Sequence, residues 1–306
     1  MKPKIATVVV SRNGVEVLLE LLRLLVNQTE TLTEIIVVDN ASSDGTLDLL
    51  SQHFPRITLI PLRSNEGVSG GYSKGLEYAL RHNHDWVWML DQDSRPSQET
   101  LGDLLAAYRL FPEREKLALI APLPVNASTC KPYPIFLWRD GQREISTSES
   151  TGAITLVDMV ISSGSLIRSQ ALGKAGMPRQ DFFMDFVDYE HCLRLRQKGF
   201  LIGVVNRCTM LHNIGKPRTV NFLGKKRSWT THKPWREYYK VRNRAFVVWH
   251  QHPSFRAKVF VFHQFLKQLI GSLLYESEKI DRIHFMWRGL KDGIRGRLGC
   301  TVRPAD

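Results

Sequence analysis

Two acidic residues directly follow a run of large apolar residues in the stretch WVWMLDQDS, residues 86–94. These acids, Asp91 and Asp93, stand one residue apart, and an apolar strand has no packing reason to end on paired carboxylates. Such a pair can reach one hard divalent cation, because Mg²⁺ and Mn²⁺ prefer oxygen ligands and are commonly held by one or two carboxylates plus substrate phosphates. A solvated turn around Ser94 explains the same acids without a metal, so this stretch alone leaves both interpretations open.

Another acid, Asp39, ends an apolar run in VVDNASSDGT, residues 37–46. In nucleotide-binding folds an acid after the second strand accepts a hydrogen bond from a sugar hydroxyl, and a ring N–H can be bound in the same way. The alternative is an Asn-, Ser- and Asp-rich turn with a helix cap, which these residue types favour on their own.

A glycine-rich segment, NEGVSGGYSKG at residues 65–75, opens a predicted helix. Glycines let backbone N–H groups approach a ligand closely, and a helix N-terminus favours anions. The spacing matches neither the dinucleotide-binding fingerprint nor the P-loop. Close helix packing by small residues is the competing explanation.

A third acidic group lies in FFMDFVDYEHCLR, residues 182–194, where Asp185, Asp188 and Glu190 gather at a predicted helix start. Acids are favourable at a helix N-terminus, and Glu190 and Arg194 form an i,i+4 pair, so a structural role would account for them. The aromatic neighbours favour a chemical role, because partial desolvation raises the basicity of a carboxylate toward that of a general base.

The elements that must position these residues are predicted from the first 120 residues, where apolar, strand-like runs alternate with helix-like segments. The predicted strands are residues 5–10, 34–39, 57–62, 85–90 and 117–121. This alternation predicts a parallel α/β sheet. Ligands bind at the carboxyl ends of the strands in such sheets. The residues at or just past those ends are Asn13, Asp39, Asn65 and Asp91.

The composition is that of an ordinary globular protein, with 306 residues, 43% hydrophobic and 24% charged. This length allows one large core or two smaller ones. The four cysteines are scattered without a C-x-x-C pair, which indicates free thiols rather than a disulfide framework or a zinc site. No secretory signal is expected, because the N-terminus has no sufficiently long apolar core and no small-residue cleavage site. These features predict a cytoplasmic protein.

The charge is concentrated in the last third of the chain. Residues 207–306 hold 21 Lys or Arg and 6 Asp or Glu, a net charge of +15, whereas residues 1–206 carry a net charge of −3. This asymmetry predicts an anionic partner, which could be nucleic acid, an acidic glycan or a lipid surface. The run REYYKVRNR, residues 236–244, lies in a predicted helix and matches no nucleic-acid docking motif, so nucleic-acid binding is the weaker interpretation.

An apolar helix is predicted within this basic tail, at residues 257–275. Lys258 and Lys267 interrupt it, and a membrane-spanning helix rarely tolerates two lysines. Two interpretations fit the pattern. The helix could pack on the catalytic body or on another subunit, or it could lie on a membrane surface.

Taken in chain order, six segments resemble the inverting, nucleotide-sugar-dependent glycosyltransferases of family 2, over roughly residues 4–250. They are TVVVSRN (7–13), VDNASSDGT (38–46), NEGVSGGYSKG (65–75), DQD (91–93), DFVDYE (185–190) and the later His212. Three further stretches are most similar to bacterial rhamnosyltransferases, with galactofuranosyltransferases nearby. They are SSGSLIR (162–168), DYEHCLR (188–194) and HKPWREYYKVRNR (232–244).

The resemblance implies the GT-A fold, a Rossmann-like α/β architecture with a mainly parallel central sheet flanked by helices and a C-terminal helical extension. The catalytic domain is expected at residues 1–220, with a nucleotide-sugar half at 1–121 and an acceptor half at 122–220. A basic helical C-terminal region is expected at 221–306.

The resemblance also implies roles for single residues. Asp188 is the expected catalytic base, but many relatives carry two adjacent acids where Val187 precedes it here, so Asp185 and Glu190 stay as rivals. The expected metal ligands are Asp91, Asp93 and His212, although a lone histidine after a strand is more often structural. The expected donor-binding residues are Ser11, Arg12, Asn13, Asp39, Asn65, Gly67, Gly70, Gly71, Asp91 and Gln92. The expected acceptor-binding residues are Ser163, Gly164, Asp185 and Glu190.

The implied enzyme is a hexosyltransferase that moves L-rhamnose from dTDP-rhamnose to a hydroxyl of a glycan or lipid-linked acceptor in bacterial surface polysaccharide (O-antigen) synthesis. Galactofuranosyl or other hexosyl transfer from a UDP-sugar is the alternative. The non-transferase alternatives are a nucleotidyltransferase, a diphosphosugar hydrolase and a nucleic-acid-binding protein. The expected cofactor is Mg²⁺ or Mn²⁺. The protein is expected at the cytoplasmic membrane face, bound peripherally through its basic C-terminal helices, with homo-oligomer formation open and no nucleic-acid partner.

Overall fold

The computed structural model describes residues 2–126, 130–139, 142–145, 152–212, 216–222, 225–252 and 254–303. The chain divides into two compact units, each made of segments that are separate in sequence. The first unit comprises residues 1–137, 145–180 and 188–212, and the second comprises 138–144, 181–187 and 213–306. Residues 181–187 thus group with the C-terminal part of the chain, although the sequence predicts one boundary near residue 220. The functional division predicted there stays a prediction.

An eight-stranded sheet forms the centre of the first unit, with the strand order β3-β2-β1-β4-β9-β5-β10-β8. In chain order the strands are β1 (Ile5–Ser11), β2 (Glu34–Asp39), β3 (Thr58–Pro61), β4 (Trp86–Asp91), β5 (Leu117–Asn126), β6 (Phe136–Arg139), β7 (Gln142–Ile145), β8 (Ile154–Val157), β9 (Leu166–Arg168) and β10 (Leu201–His212). Strands β6 and β7 lie outside the large sheet.

The sheet is mainly parallel, which confirms the predicted fold class. Strands β1 to β4 run parallel to one another, and β5 runs parallel to β10. Strand β9 runs antiparallel between β4 and β5, and β8 pairs antiparallel with β10. The register pairs Ser11 with Asp39 and Val10 with Asp91. Acids that are far apart in the sequence therefore reach the same edge of the sheet.

Helices cover both faces of this sheet. They are α1 (Val15–Val26), α2 (Thr46–His53), α3 (Gly67–Arg81), α4 (Thr100–Leu110), α5 (Ser169–Ala175) and α6 (Val187–Gln197). One core joins Val8 and Val10 to α3, α5 and α6, and the other joins Val9 to α1, α2 and α4. Because successive strand residues point to opposite faces, β1 is buried on both sides. This double burial explains its unbroken apolar run.

Two glycines let α3 lie directly on β1. A Cβ atom on Gly71 would lie 2.6 Å from a methyl carbon of Val10, and one on Gly75 would lie 2.3 Å from a methyl carbon of Val8. Any larger residue would force the helix away from the strand. Close packing therefore gives a sufficient reason for these two glycines.

The C-terminal part of the second unit, as far as the structure describes it, contains a strand pair and three long helices. Its elements are β11 (Lys216–Phe222), β12 (Lys225–Thr231), α7 (Pro234–Phe246) with a π-helical continuation at Val247–Gln251, α8 (Phe255–Tyr275) and α9 (Lys279–Ile294). Strands β11 and β12 pair antiparallel. The sequence predicts helices alone after residue 221, because the many Lys and Arg residues here hide the alternating pattern of a strand. No helix in the described parts of the chain is both long and apolar enough to cross a membrane.

Candidate active site

A glutamine ties together the ends of β1 and β4. The Ser11 hydroxyl and the Arg12 backbone N–H both donate to Oε1 of Gln92, at 2.8 and 2.9 Å. The Gln92 side-chain amide donates back to the Arg12 carbonyl at 3.3 Å. Three of the predicted donor-binding residues are therefore brought together at the carboxyl edge of the sheet.

The Asp39 carboxylate is buried at this edge, with 1% of its surface exposed. Its Oδ2 accepts a hydrogen bond from the Ser42 backbone N–H at 3.0 Å. Its Oδ1 is buried and has no hydrogen-bond partner among the residues that the structure describes. A buried acceptor left unpaired is costly, so a ligand N–H or hydroxyl would find a ready acceptor here.

Two predicted donor-binding asparagines shape the loops of this edge. The side-chain oxygen of Asn13 accepts from the Ser43 backbone N–H at 2.8 Å, and that of Asn65 accepts from the Gly67 backbone N–H at 2.9 Å. Asn13 has a φ of +46°, a left-handed conformation that asparagine tolerates better than most residues. Both side chains thus have structural roles, and their donor contacts stay predictions.

The predicted glycines of α3 are buried, so the structure offers a packing reason for them as well. A Cβ atom on Gly70 would lie 2.4 Å from the Glu66 Cβ, and Gly71 lies against β1 as described above. Gly67 has a φ of +71°, which suits glycine. A direct contact of these glycines with the donor stays a prediction.

One acid binds the Tyr72 hydroxyl, and two more act on it through their charge. This buried phenol donates to Asp91 Oδ1 at 2.8 Å. Burial raises the pKa of Tyr72 well above its usual value, and the negative charges of Asp91, Asp188 and Asp93 raise it further. The charges of the acids after β4 and of the acid in the first turn of α6 therefore act on one group.

Tyr72 did not emerge from the sequence as a site residue. It lies within the glycine-rich segment, and the glycines account for that pattern without it. The available signal was a tyrosine on the same helical face as Leu76 and Ala79, both buried in the core. A buried tyrosine hydroxyl usually finds a hydrogen-bond partner, so this residue predicts a polar group beneath α3.

The predicted acceptor residues Ser163 and Gly164 are used within the sheet. The hydroxyls of Ser163 and Ser94 are 2.7 Å apart, and the Asp91 backbone N–H donates to Ser94 at 3.0 Å. Gly164 donates its N–H to the Met89 carbonyl at 2.8 Å and has a φ of +88°. Both residues are buried, which argues against direct acceptor contacts and indicates that they support the loop after β4.

The structure separates the three candidate bases by their partners. Glu190 has a fully buried side chain, and Arg194 Nε donates to its Oε1 at 2.8 Å. This burial argues against the acceptor contact predicted for Glu190. Asp188 is half-buried in the first turn of α6, and its Oδ1 accepts from the Tyr189 backbone N–H at 2.9 Å.

Asp185 belongs to the second unit and is held by an arginine. Arg236 Nε and Nη2 donate to its two carboxylate oxygens at 2.9 and 3.0 Å. Burial raises the pKa of Asp185, but the charges of Arg236, Lys240 and His232 outweigh it and leave the pKa below its usual value. A carboxylate stabilised in this way is a poor proton acceptor.

The described residues supply only some of the ligands that a divalent cation needs. Among the residues that the structure describes, no three Asp, Glu, His or Cys side chains are grouped closely enough to hold a metal. Asp93 is exposed and Asp91 half-buried, so two carboxylates are available while diphosphate oxygens would have to complete the site. The backbone of His212 is described and its side chain is not, so its predicted metal role lies outside the described part.

Comparison with known proteins identifies a family domain in the first third of the chain. Residues 7–111 match the protein family described as "Glycosyl transferase family 2". The "dTDP-rhamnosyl transferase RfbF" of Shigella flexneri is 28% identical over 274 residues, which cover 87% of each chain. The "Galactofuranosyltransferase GlfT1" of Mycolicibacterium smegmatis is 26% identical over 255 residues, covering 80% of this chain and 82% of the relative.

Solved structures share the fold at low sequence identity. A crystal structure of GalNAc-T7 with UDP, GalNAc and Mn²⁺ has a TM-score of 0.60 at 14% identity and covers 96% of this chain, which spans 56% of that chain. A structure of S. aureus TarS 1–349 in complex with UDP-GlcNAc has a TM-score of 0.57 at 16% identity, covering 96% and 83%. The sheet order, the flanking helices and these neighbours confirm the predicted GT-A fold. The chain therefore contains a glycosyl transferase family 2 domain of GT-A fold and is a glycosyltransferase.

Proposed function

We propose that this glycosyltransferase moves L-rhamnose from dTDP-rhamnose to a hydroxyl of a glycan or lipid-linked acceptor in bacterial surface polysaccharide synthesis. The observation that carries the proposal is that Asp91 binds the Tyr72 hydroxyl while the charges of Asp93 and Asp188 act on the same group, which favours one site for the donor-side acids and a candidate base. Similarity to a dTDP-rhamnosyl transferase over most of both chains supports the donor. Galactofuranosyl transfer from a UDP-sugar is the second candidate, favoured by the similarity to GlfT1.

The donor nucleotide is bound at the ends of β1 and β2. The unpartnered Asp39 Oδ1 accepts the ring N–H of the pyrimidine, and Ser11 and Arg12 line the same pocket. The ring N–H is common to thymine and uracil. Asp39 therefore selects a pyrimidine of this kind without choosing between a dTDP- and a UDP-sugar.

Asp188 acts as the general base. It takes the proton of the acceptor hydroxyl while the hydroxyl oxygen forms a bond to the anomeric carbon of the donor sugar. The bond from that carbon to the diphosphate oxygen breaks on the opposite face, and the nucleoside diphosphate leaves with the electron pair. One displacement inverts the anomeric centre without a covalent sugar–enzyme adduct, unlike the double displacement of retaining glycosidases.

Asp91 and Asp93 would hold a Mg²⁺ or Mn²⁺ ion together with the donor diphosphate, and His212 is a further proposed ligand. When bound, such a cation stabilises the negative charge that builds on the leaving group. Asp91 is oriented for this role by the Tyr72 hydroxyl and by the backbone bond to Ser94.

The donor assignment is tested with a panel of nucleotide sugars and the purified protein. We expect dTDP-rhamnose to raise the melting temperature most, and UDP-linked sugars to raise it less. Asp39→Asn should reduce this stabilisation. The substitution replaces one of the two carboxylate oxygens with an NH₂ group, which cannot accept a hydrogen bond from the ring N–H of the nucleotide. Leu110→Ala, at an exposed position, is the matched control and should respond to the donor as the wild type does.

Product analysis separates the reaction classes. A glycosyltransferase releases nucleoside diphosphate only when an acceptor is present. Acceptor-independent release would indicate a diphosphosugar hydrolase, and pyrophosphate formation would indicate a nucleotidyltransferase. Either result, or a panel in which no nucleotide sugar stabilises the protein, would contradict the proposed function.

We also propose that α8 docks the enzyme on an anionic membrane surface. One face of this helix is apolar and exposed, and consists of Phe255, Val259, Phe262, Leu266, Ile270, Leu273 and Leu274. The opposite face, with Ala257, Val261 and Phe265, is buried within the second unit. The helix carries Arg256, Lys258 and Lys267 and no acidic residue. An apolar face with flanking cations suits the boundary between lipid headgroups and acyl chains.

Substituting two residues of this face tests the docking. Phe262→Glu with Ile270→Glu is expected to abolish co-sedimentation with vesicles that contain phosphatidylglycerol, because both carboxylates would have to enter the lipid boundary. Both positions are about half exposed, at 53% and 55%, so the fold should persist. Turnover of a soluble acceptor should be retained.

The control is Leu110→Glu, which adds an acid at a residue 79% exposed in the first unit. It should bind vesicles as the wild type does. If the double variant still bound anionic vesicles fully, lipid would not be the occupant of the α8 face. A change from oligomer to monomer with vesicle binding unaltered would instead identify a second copy of the chain as the occupant.

A further inference from the structure

The segment directly before helix α6 has an unusual backbone. Phe183, Asp185 and Phe186 have φ values of +65°, +58° and +67°. Left-handed conformations are disfavoured for residues with a side chain, and two of these residues are bulky. Three of them within four residues persist only when the surroundings hold them in place. Residues 182–186 are called the pre-helix turn below, since α6 begins at Val187.

One buried amide spans this turn. The Asn243 Nδ2 atom lies within hydrogen-bond distance of three carbonyl oxygens, at 3.1 Å from Phe182, 2.7 Å from Met184 and 2.8 Å from Asp185. Asn243 is fully buried in α7, within the same unit as the turn. The amide therefore holds the carbonyls in the directions that the left-handed residues impose.

The neighbouring arginine fixes that amide. Arg242 Nε donates to Asn243 Oδ1 at 2.8 Å, so the amide nitrogen is left to face the turn. Arg242 Nη2 also donates to the carbonyls of Phe182 and Asp181, at 2.8 and 3.2 Å. The guanidinium lies over the Tyr239 ring, 4.8 Å from its centroid. Arg242 and Asn243, called the clamp below, therefore bind the turn together.

The last residues of the described chain complete this clamp. Arg242 Nη1 donates to the Gly299 carbonyl, and the Gly299 N–H donates to the Asp181 carbonyl, both at 2.6 Å. The Tyr239 hydroxyl donates to the Val302 carbonyl at 2.5 Å. The turn is therefore braced by α7 on one side and by residues 299–302 on the other.

Packing alone does not account for Arg242. Its side chain is fully buried, and burial lowers the pKa of its guanidinium, an effect that Tyr238, Tyr239 and the charge of Asp181 offset only in part. Burying a cation is costly, and a methionine would fill similar space. Besides Tyr238, it donates hydrogen bonds to backbone carbonyls and to the Asn243 amide. These bonds orient the carbonyls and the amide.

We propose that Arg242 and Asn243 are positioning residues: they hold the pre-helix turn in its left-handed conformation and thereby fix where α6, and Asp188 in its first turn, begins. The inference rests on the proposed role of Asp188 as the base. Displacement of a reacting group by about 1 Å can cost about a hundredfold in rate. A loosened turn would therefore lower kcat and leave the affinity for the donor unchanged.

The test is a double-mutant cycle on the full chain with a soluble acceptor. Arg242→Met and Asn243→Ala are each expected to lower kcat about a hundredfold, with KM for the donor nearly unchanged. In an Asp188→Asn background they should lower kcat no further, because a residue that acts through the base has no effect once the base is removed. Lys291→Met, at an exposed cation of α9, is the control and should retain kcat.

The outcomes separate the clamp from a structural role and from the proposed function. Folded clamp variants with normal kcat, or an equal loss in both backgrounds, would overturn the inference. If Asp188→Asn alone kept normal turnover, the base assignment itself would fail. If Arg242→Met does not fold, Arg242→Lys replaces it in the same cycle. Lysine keeps the positive charge but lacks the several N–H donors of the planar guanidinium.

Discussion

Asp188→Asn is expected to lower kcat about a hundred- to ten-thousandfold, the usual contribution of a general base. The amide has the size of the carboxylate and keeps an oxygen for the Tyr189 backbone N–H, so the first turn of α6 should be preserved. It cannot accept a proton from the acceptor hydroxyl. Donor affinity and melting temperature should remain near the wild-type values, measured by calorimetry and thermal unfolding.

The rival acids give the matched comparison. Asp185→Asn breaks the paired hydrogen bonds to Arg236, and Glu190→Gln disrupts the buried pair with Arg194, so both should lower the melting temperature. Their kcat per folded molecule should fall less than that of Asp188→Asn. If Asp188→Asn turned over normally while either rival variant was inactive, the base would be misassigned.

Metal removal is expected to abolish transfer, with activity restored by Mn²⁺ or Mg²⁺. In Asp93→Ala the Mn²⁺ concentration for half-maximal activity should rise at least about tenfold, the lower end of what even an outer-shell partner contributes. Asp93 is exposed, so this substitution leaves the packing intact. Asp91→Ala tests the metal role less directly, because it also removes the hydrogen-bond acceptor of the Tyr72 hydroxyl.

The control for the metal prediction is Asp48→Ala, which removes an exposed acid from α2. Its metal dependence should match that of the wild type. The measurement is a Mn²⁺ titration of donor binding and of turnover after chelation. An Asp93→Ala protein whose donor binding kept its wild-type metal dependence would disprove the ligand assignment.

The sheet and its edge could be predicted because burial leaves a direct trace in the sequence. Strands β1, β2 and β4 are covered on both faces and so appear as unbroken apolar runs that end on polar residues. The β11–β12 pair could not be predicted in the same way, because charged residues interrupt its pattern. The hydrogen bonds of Arg242 and Asn243 could not be predicted either, because helix periodicity does not indicate which carbonyls a buried side chain will contact.

The sequence by itself determined which functional groups are present and in what order: Asp39, Asp91 and Asp188, the glycine-rich helix start and the basic tail. Together these features indicated a family 2 glycosyltransferase. Only the tertiary structure decided how the acids differ. The charge of Asp188 acts on Tyr72, whereas Asp185 is paired with Arg236, 51 residues away in the chain. The physical reason is that the basicity of a carboxylate depends on burial and on nearby charges, and both are set by residues that folding alone brings together.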